Sequence, residues 1–338
     1  MSAEATAEQV EAVCAHITRL GFEPRPIPGG QRTAIGIVGN PGALEPGPFV
    51  ELPGVLRAIP VSSPFKLVSR EWQAADTVVR LPNGVAIGGG NVAVIGGPCS
   101  VETEAQVMAA AEAVARAGGG ALRGGAWKPR TSPYAFQGNG EAALKLLRQA
   151  GEAFGLSTVT EAIDHESALQ VAQYADVIQI GARNMQNFAL LRLVAGLGRP
   201  VVLKRGMAAT IDEWLLAGEY LLAGGCRDVI LCERGIRSFD PRTRNVLDLA
   251  AIAVARALTH LPIIADPSHG TGVRDMVIPM GRAAIAAGAD GLIVEVHPRP
   301  QEALSDAHQQ LRPGQFVELM TAVRTIAGAI GRTVQAAG

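Results

Sequence analysis

The stretch VIQIGARNMQNFALLRLVAGLGRPVVLK, residues 177–204, decides the fold. It opens with an apolar run, turns at Gly181, continues as an apolar helix pattern, breaks at Gly196 and Gly198, and closes with a second apolar run. Short runs that are apolar at nearly every position suit strands buried on both faces, as in a parallel sheet covered by helices. From Asn91 the succession of strand, turn and helix occurs eight times, with strands expected at 92–98, 120–123, 156–161, 177–181, 200–204, 228–233, 262–266 and 291–297. Eight units in 248 residues (338 − 90) match a TIM (β/α)8 barrel in count and length. A doubly wound sheet would need a glycine fingerprint after its first strand, and GGPCSVE (96–102) is not one.

Ahead of the barrel, Thr77–Arg80 and Val85–Ile87 flank Pro82-Asn83-Gly84, a strong short-range hairpin signal. This N-terminal β-hairpin is expected to plug one end of the barrel. Earlier still, Val10, Val13, Ile17 and Leu20 recur at helical spacing over 7–20, and 33–38 and 56–61 read as strands. Together they suggest part of a small α+β ferredoxin-like βαββαβ unit. Two features depart from it: MSAEAT is not strand-like where a first strand would stand, and Pro41, Pro46, Pro48 and Pro53 disfavour a second helix of normal length. The expected division is 1–64 for this domain, 65–90 for linker and hairpin, and 91–338 for the barrel.

Composition removes several classes of function. Every long apolar run is cut by a charge, with Arg256 inside 249–265 and Arg282 and Asp290 inside 276–296, so no membrane span is expected. A net charge of −1 argues against a nucleic-acid surface. Cys14, Cys99, Cys226 and Cys232 show no paired spacing, and the N-terminus has no basic segment followed by an apolar core. A cytoplasmic protein is expected.

The ends of the eight strands carry Cys99, Arg123, Glu161, Arg183, Lys204, Glu233 with Arg234, Asp266 with His269, and Glu295 with His297. In a barrel these ends converge on one face, where active sites are assembled from several strands. Arg123, Lys128, Arg183, Lys204 and Arg234 offer fixed positive charge to a carboxylate and a phosphate. Pairing of Lys204 with Glu161 or Glu233 is the structural alternative. The densest segment is LRGGAWKPRTSPYAFQG (122–138), where Arg123, Lys128 and Arg130 sit among glycines and prolines beside Thr131 and Ser132. Arg supplies a planar fork and Lys a point charge, a combination suited to a doubly charged oxyanion.

That segment resembles the substrate loop of the 3-deoxy-D-arabino-heptulosonate 7-phosphate (DAHP) synthase family, in the form that carries an N-terminal regulatory domain. The resemblance runs from about Lys66 nearly to the C-terminus. It implies a metal-dependent transferase of the shikimate pathway to aromatic amino acids, condensing phosphoenolpyruvate with erythrose 4-phosphate and water. GPCS, ADPSHG, VEVHP and ALSDA resemble the family's metal motifs, which implies Cys99, His269, Glu295 and Asp306 as ligands. Thiolate, imidazole and two carboxylates form a borderline-soft set suited to Mn, Fe, Zn or Co. GAR (181–183), LKRG (203–206) and CERG (232–235) resemble the phosphoenolpyruvate motifs, implying Arg123, Lys128, Ala182, Arg183, Lys204 and Arg234. Arg130, Thr131 and Ser132 would receive the erythrose phosphate. Lys128, Glu161, Lys204 and His297 are the expected catalytic residues.

The resemblance further implies a homo-oligomer and an aromatic amino acid effector acting through residues 1–64. The nearest rival, 3-deoxy-manno-octulosonate 8-phosphate synthase, usually carries Lys-Ala-Asn-Arg-Ser-Ser where this chain has Lys128-Pro129-Arg130-Thr131-Ser132. A non-catalytic barrel that binds phosphoenolpyruvate as a regulatory subunit is the rival of another class.

Overall fold

Thr6 begins the first helix by accepting a hydrogen bond from the Gln9 amide, and the Gln9 side chain accepts one from the Thr6 amide in return, satisfying two otherwise orphaned donors. The computed structural model describes residues 1–29, 32–40, 44–59, 64–129 and 132–337. The chain divides at Trp72/Gln73 into two units, where the sequence reading sets the boundary at 64.

In the first unit, α1 (Ala7–Arg19) turns Val13 and Ile17 inward, where they cluster with Phe49 of the short α2 (Gly47–Val50). β1 (Glu23–Pro28) pairs antiparallel with β2 (Thr33–Val38), Glu23 opposite Val38 and Pro28 opposite Thr33. The strand expected at 56–61 is a correction: 56–59 carry no strand, 60–61 lie outside the described residues, and β2 takes β1 as its partner instead. Prolines hide β1 from a sequence reading. Pro24, Pro26 and Pro28 alternate, so their missing N–H groups all fall on the edge facing away from β2, where no ladder bond is lost. The order αββα gives the inner four elements of a βαββαβ unit, and neither flanking strand is present among the described residues.

In the second unit, β3 (Val79–Arg80) and β4 (Ala86–Ile87) form the expected hairpin, with Val79 opposite Ile87. Eight parallel strands follow: β5 (Asn91–Gly97), β6 (Ala121–Arg123), β7 (Ser157–Ala162), β8 (Val177–Ile180), β9 (Val201–Lys204), β10 (Val229–Glu233), β11 (Ile263–Ala265) and β12 (Gly291–Glu295). Each pairs with the next, and β12 closes on β5 with Gly291 opposite Ala93. Outside them run α3 (Glu104–Ala117), α4 (Glu141–Ala153), α5 (His165–Tyr174), α6 (Phe188–Ala195), α7 (Ile211–Ala223), α8 (Leu249–Leu258), α9 (Pro267–Thr271), α10 (Arg274–Ala286) and α11 (Pro313–Ala329). A strand the sequence reading did not anticipate, β13 (Thr333–Gln335), lies parallel to the start of β5.

The interior is packed rather than open. Ile95, Val159, Val177, Val202, Ile230, Ile264 and Ile293 of the strands meet Val79, Leu81, Val85 and Ile87 of the hairpin in one buried cluster. The Asn83 side chain donates to the carbonyls of Gly120 (3.0 Å) and Gly155 (3.1 Å), and its amide donates to Ser157 Oγ (3.2 Å). These partners lie where β6 and β7 begin, so the hairpin closes the end opposite the strand C-termini. At the same lower end, Asp290 accepts from Arg256 Nη1 at 2.9 Å, Arg332 Nη2 at 2.8 Å and the Ile263 amide at 2.9 Å, joining α8, the approach to β13, and β11.

Candidate active site

Cys99 follows β5, and its buried amide donates to Gln310 Oε1 at 2.9 Å. Glu295 is the last residue of β12. Asp306 lies in the loop beyond at φ 46°, which makes it the non-glycine residue with left-handed backbone among those described. Such strain persists where the surroundings enforce it, and often at functional sites. The candidate ligand atoms of Cys99, Glu295 and Asp306 all lie within 4.8 Å of one another. His269 comes from α9, which Asp266 caps: its Oδ1 accepts from the His269 amide at 2.9 Å and its Oδ2 bonds His269 Nδ1 at 2.7 Å. His269 Nε2 then stands 3.4 Å from Glu295 Oε1 and 4.0 Å from Asp306 Oδ2.

This arrangement suits a cation. With the Nδ1 proton directed at Asp266, Nε2 presents a lone pair to two carboxylate oxygens, and Cys99 Sγ stands 3.4 Å from Asp306 Oδ2. The imidazole lone pair and the two carboxylate oxygens, converging in a buried place, repel one another unless a positive charge joins them, and a carboxylate behind the imidazole is a recurrent support for a metal-bound histidine. Further partners fix the carboxylates. Glu295 Oε1 accepts from Arg123 Nη1 at 3.0 Å and Oε2 from Gln309 Nε2 at 2.7 Å.

Titration follows from burial and charge. Burial pushes the Cys99 thiol up to about 12, with Glu295 adding to the rise while Lys128 opposes it. Burial also disfavours ionised Glu295, but His269 and Arg123 outweigh it and hold the carboxyl below the usual range. Asp306 likewise overcomes burial, through His269, Arg244 and Lys128, and titrates at about 2. Desolvation lowers His269, against the pull of Asp266 and Glu295.

Beside this cluster is a cavity of about 170 Å3 lined by Lys128, Pro129, Glu161, Gly181, Ala182, Arg183, Lys204, Arg234, Arg244, His269 and Asp306. Five cations against two carboxylates make it an anion site. Arg234 is buried, donates only to the Gly235 carbonyl at 3.2 Å, and has no ion pair among the described residues. A buried guanidinium without a counter-ion is costly unless a ligand supplies one.

Lys128 Nζ donates to both Cys99 O and Cys99 Sγ at 3.0 Å, linking cavity and ligand cluster. Lys204 pairs with Asp266 Oδ2 at 2.5 Å, and not with Glu161 or Glu233: Glu161 accepts from Gln179, and Glu233 from Arg205 and the Gly235 amide. Arg123 is turned onto Glu295 and the Pro98 carbonyl and does not line the cavity. His297 does not line it either. Its Nδ1 accepts from the Arg299 amide at 3.0 Å, leaving Nε2 buried without a hydrogen-bond partner. Ser132 is exposed and outside the cavity lining, while Arg130 and Thr131 fall outside the described residues.

Three participants escaped the sequence reading of the site, and Asp266, read there only as a strand-end residue, was given no role despite a legible signal, an N-cap Asp three residues before His269. Gln309, Gln310 and Arg244 carried none, because only loop closure brings them to the mouth.

Residues 76–330 match the DAHP synthetase I family, and residues 1–63 match the DAHP synthase ferredoxin-like domain. The chain is 50% identical over 303 residues to phospho-2-dehydro-3-deoxyheptonate aldolase of Thermotoga maritima, covering 90% of this chain and 89% of that one. The crystal structure of a DAHP synthase from Thermotoga maritima superposes with a TM-score of 0.80 at 46% identity, covering 98% of this chain and 97% of that one. A 2-dehydro-3-deoxyphosphooctonate aldolase of Acidithiobacillus ferrooxidans is more distant, 29% identical over 248 residues, covering 68% of this chain and 87% of that one. With its barrel and its N-terminal unit both matched, the chain belongs to the DAHP synthetase I family.

Proposed function

We propose that the barrel condenses phosphoenolpyruvate with erythrose 4-phosphate and water to give DAHP and inorganic phosphate. The observation that carries this reading is a cavity lined by five cations with His269 and Asp306 in its wall. Phosphoenolpyruvate brings a phosphate and a carboxylate to such a place. Arg183, Lys204 and Arg234 hold them in register, and Lys128 spans from the anion to the Cys99 side of the site. Arg130, Thr131 and Ser132 receive the second phosphate, which sets the aldehyde carbon against C3 of the bound enol. Glu161 orients the water that adds at C2 as phosphate departs, and His297 keeps a buried Nε2 without a hydrogen-bond partner as its free polar atom.

Cys99, His269, Glu295 and Asp306 would hold the divalent ion, Mn, Fe, Zn or Co, which supplies Lewis-acid polarisation of the aldehyde oxygen when bound. Lys204 acts here as a fixed charge rather than a Schiff base, since Asp266 keeps it paired. The higher identity to the heptonate enzyme favours the four-carbon aldose over the octulosonate reaction. Phosphate release measured with erythrose 4-phosphate and with arabinose 5-phosphate tests this directly. Release with the five-carbon substrate alone would overturn the reading, and release with neither would leave a binding barrel.

The cation assignments separate by kinetics. Arg183→Ala is expected to raise KM for phosphoenolpyruvate about ten- to hundredfold, and Arg130→Ala to raise KM for erythrose 4-phosphate by a similar factor, since each removes a charge-assisted contact. The reverse pattern would mean that the two anion sites are exchanged.

Residues 1–64 are proposed to regulate the enzyme by taking an aromatic amino acid, in a cytoplasmic homo-oligomer. The support is the ferredoxin-like match, together with a cavity of about 300 Å3 in this unit lined by Val13, Ile17, Phe49 and Trp72 and by Arg32 and Arg57. A chain beginning near Ser63 should stay active and lose inhibition by tyrosine or phenylalanine. Equal responses from the truncated and full-length chains would remove the effector from this unit. Among the described residues, no helix is long and apolar enough to cross a membrane.

A further inference from the structure

Arg244 lies in the connection between β10 and α8. Among the described residues it is the cavity-lining cation that is also ion-paired to a carboxylate of the proposed ligand set. The hold is loose. Nη1 stands 3.5 Å from Asp306 Oδ2 and donates to Gln309 Oε1 at 3.2 Å, where a tight charge-assisted bond would be about 2.7–2.9 Å. Nε and Nη2 have no hydrogen bond to a described residue, and the side chain is 35% exposed. Arg205 shows the contrast: it is 6% exposed and bonded to Glu233 at 2.9 Å and Asp248 at 3.1 Å. Arg205 is committed, whereas Arg244 has donors to spare.

The oxygen it pairs with matters. Asp306 Oδ2 also faces Cys99 Sγ at 3.4 Å and His269 Nε2 at 4.0 Å, so it points into the ligand cluster. A metal held there and the Arg244 guanidinium would draw on the charge of one oxygen, and like charges would set them against each other.

We propose that Arg244 is a positioning residue shared between Asp306 and the anion in the cavity. It neutralises the carboxylate before metal binds and is released to the anion when metal takes its place, so that metal and anion bind with positive coupling. This rests on the metal reading above. The release costs little because the pair is long and partly exposed. Coupling of this kind is reciprocal: an anion that draws Arg244 away from Asp306 must tighten metal to the same degree.

The sign of one measurement separates this role from simple support of a ligand. Losing an outer partner that merely orients a ligand weakens metal about 10–100-fold, whereas losing a competitor tightens it. Co2+ affinity would be measured on the full-length chain by competition with a chelator. Inorganic phosphate affinity would be measured by calorimetry with and without Co2+. Both would be done for the wild type, Arg244→Met and Arg244→Lys. In the wild type Co2+ should tighten phosphate on the order of tenfold, within the usual range of coupling between sites. Arg244→Met should bind Co2+ severalfold more tightly in the absence of phosphate and lose most of that coupling. Arg244→Lys, which keeps the charge, should bind Co2+ nearly as the wild type does. Unchanged or weaker Co2+ binding in Arg244→Met, or undiminished coupling, overturns the proposal while leaving the metal site standing. A wild type that binds no Co2+ overturns both.

Discussion

Cys99→Ala is expected to fold, to lose metal affinity by more than about 100-fold, the upper end of what losing even an outer partner costs, and to lose condensation activity with it. Cys99 is fully buried but faces Asp306 and Lys128 rather than an apolar neighbour, so a methyl group there removes a ligand and little packing. The pH dependence of metal binding gives a second readout. The metal-free thiol titrates at about 12, so near pH 7 it carries its proton. Binding as thiolate releases that proton, and apparent affinity should rise about tenfold per pH unit. His269, lowered from 6.5, is already neutral above that pH and adds no second proton. In Cys99→Ala the slope should flatten. Chelator competition at several pH values checks both statements, and unchanged metal content after chelation would remove Cys99 from the ligand set.

The largest loss of stability is expected at the other end of the barrel, from Asp290→Ala. Asp290 is 1% exposed and holds Arg256, Arg332 and the Ile263 amide. Burial raises its pKa in spite of Arg256, the Ile263 amide and Arg332. Removing the carboxylate leaves two guanidinium groups without it, at a cost of roughly 3–5 kcal/mol. Denaturant titration should show the loss, with metal affinity unchanged in the fraction that stays folded. A shift below about 1 kcal/mol would mean that Arg256 and Arg332 reach water instead.

Why the barrel was legible and parts of the site were not follows from how far apart in sequence the contacts lie. Val229–Glu233 is buried at every position and Val201–Lys204 likewise, so each strand announces itself as an apolar run. The polar residue that ends the run then marks the mouth, which is how Lys204, Glu233 and Glu295 could be placed. β1 was illegible for the opposite reason: at an edge strand three prolines cost nothing, yet they erase the alternation a reader looks for. Leu56 is 51% exposed, so the short apolar run at 56–59 indicated hydrophobicity without a pairing partner. Arg244 and Gln309 meet at 3.2 Å across 65 positions, and nothing local in either segment encodes that contact. Arg123 shows a finer limit: its strand end was readable, but its bond to Glu295 rather than to the cavity depends on rotamers across the barrel.

The hairpin of β3 and β4 makes the barrel a vessel with a single doorway. Because Val79, Leu81, Val85 and Ile87 fill its floor, nothing passes through, and reactants, water and product share one threshold. Cations deep in the vessel, Lys204 and Arg234, are each 4% exposed, while Arg183, which lines the same cavity, is exposed. On the proposed assignment, an anion seated on Lys204 and Arg234 would have to enter before anything held nearer the opening.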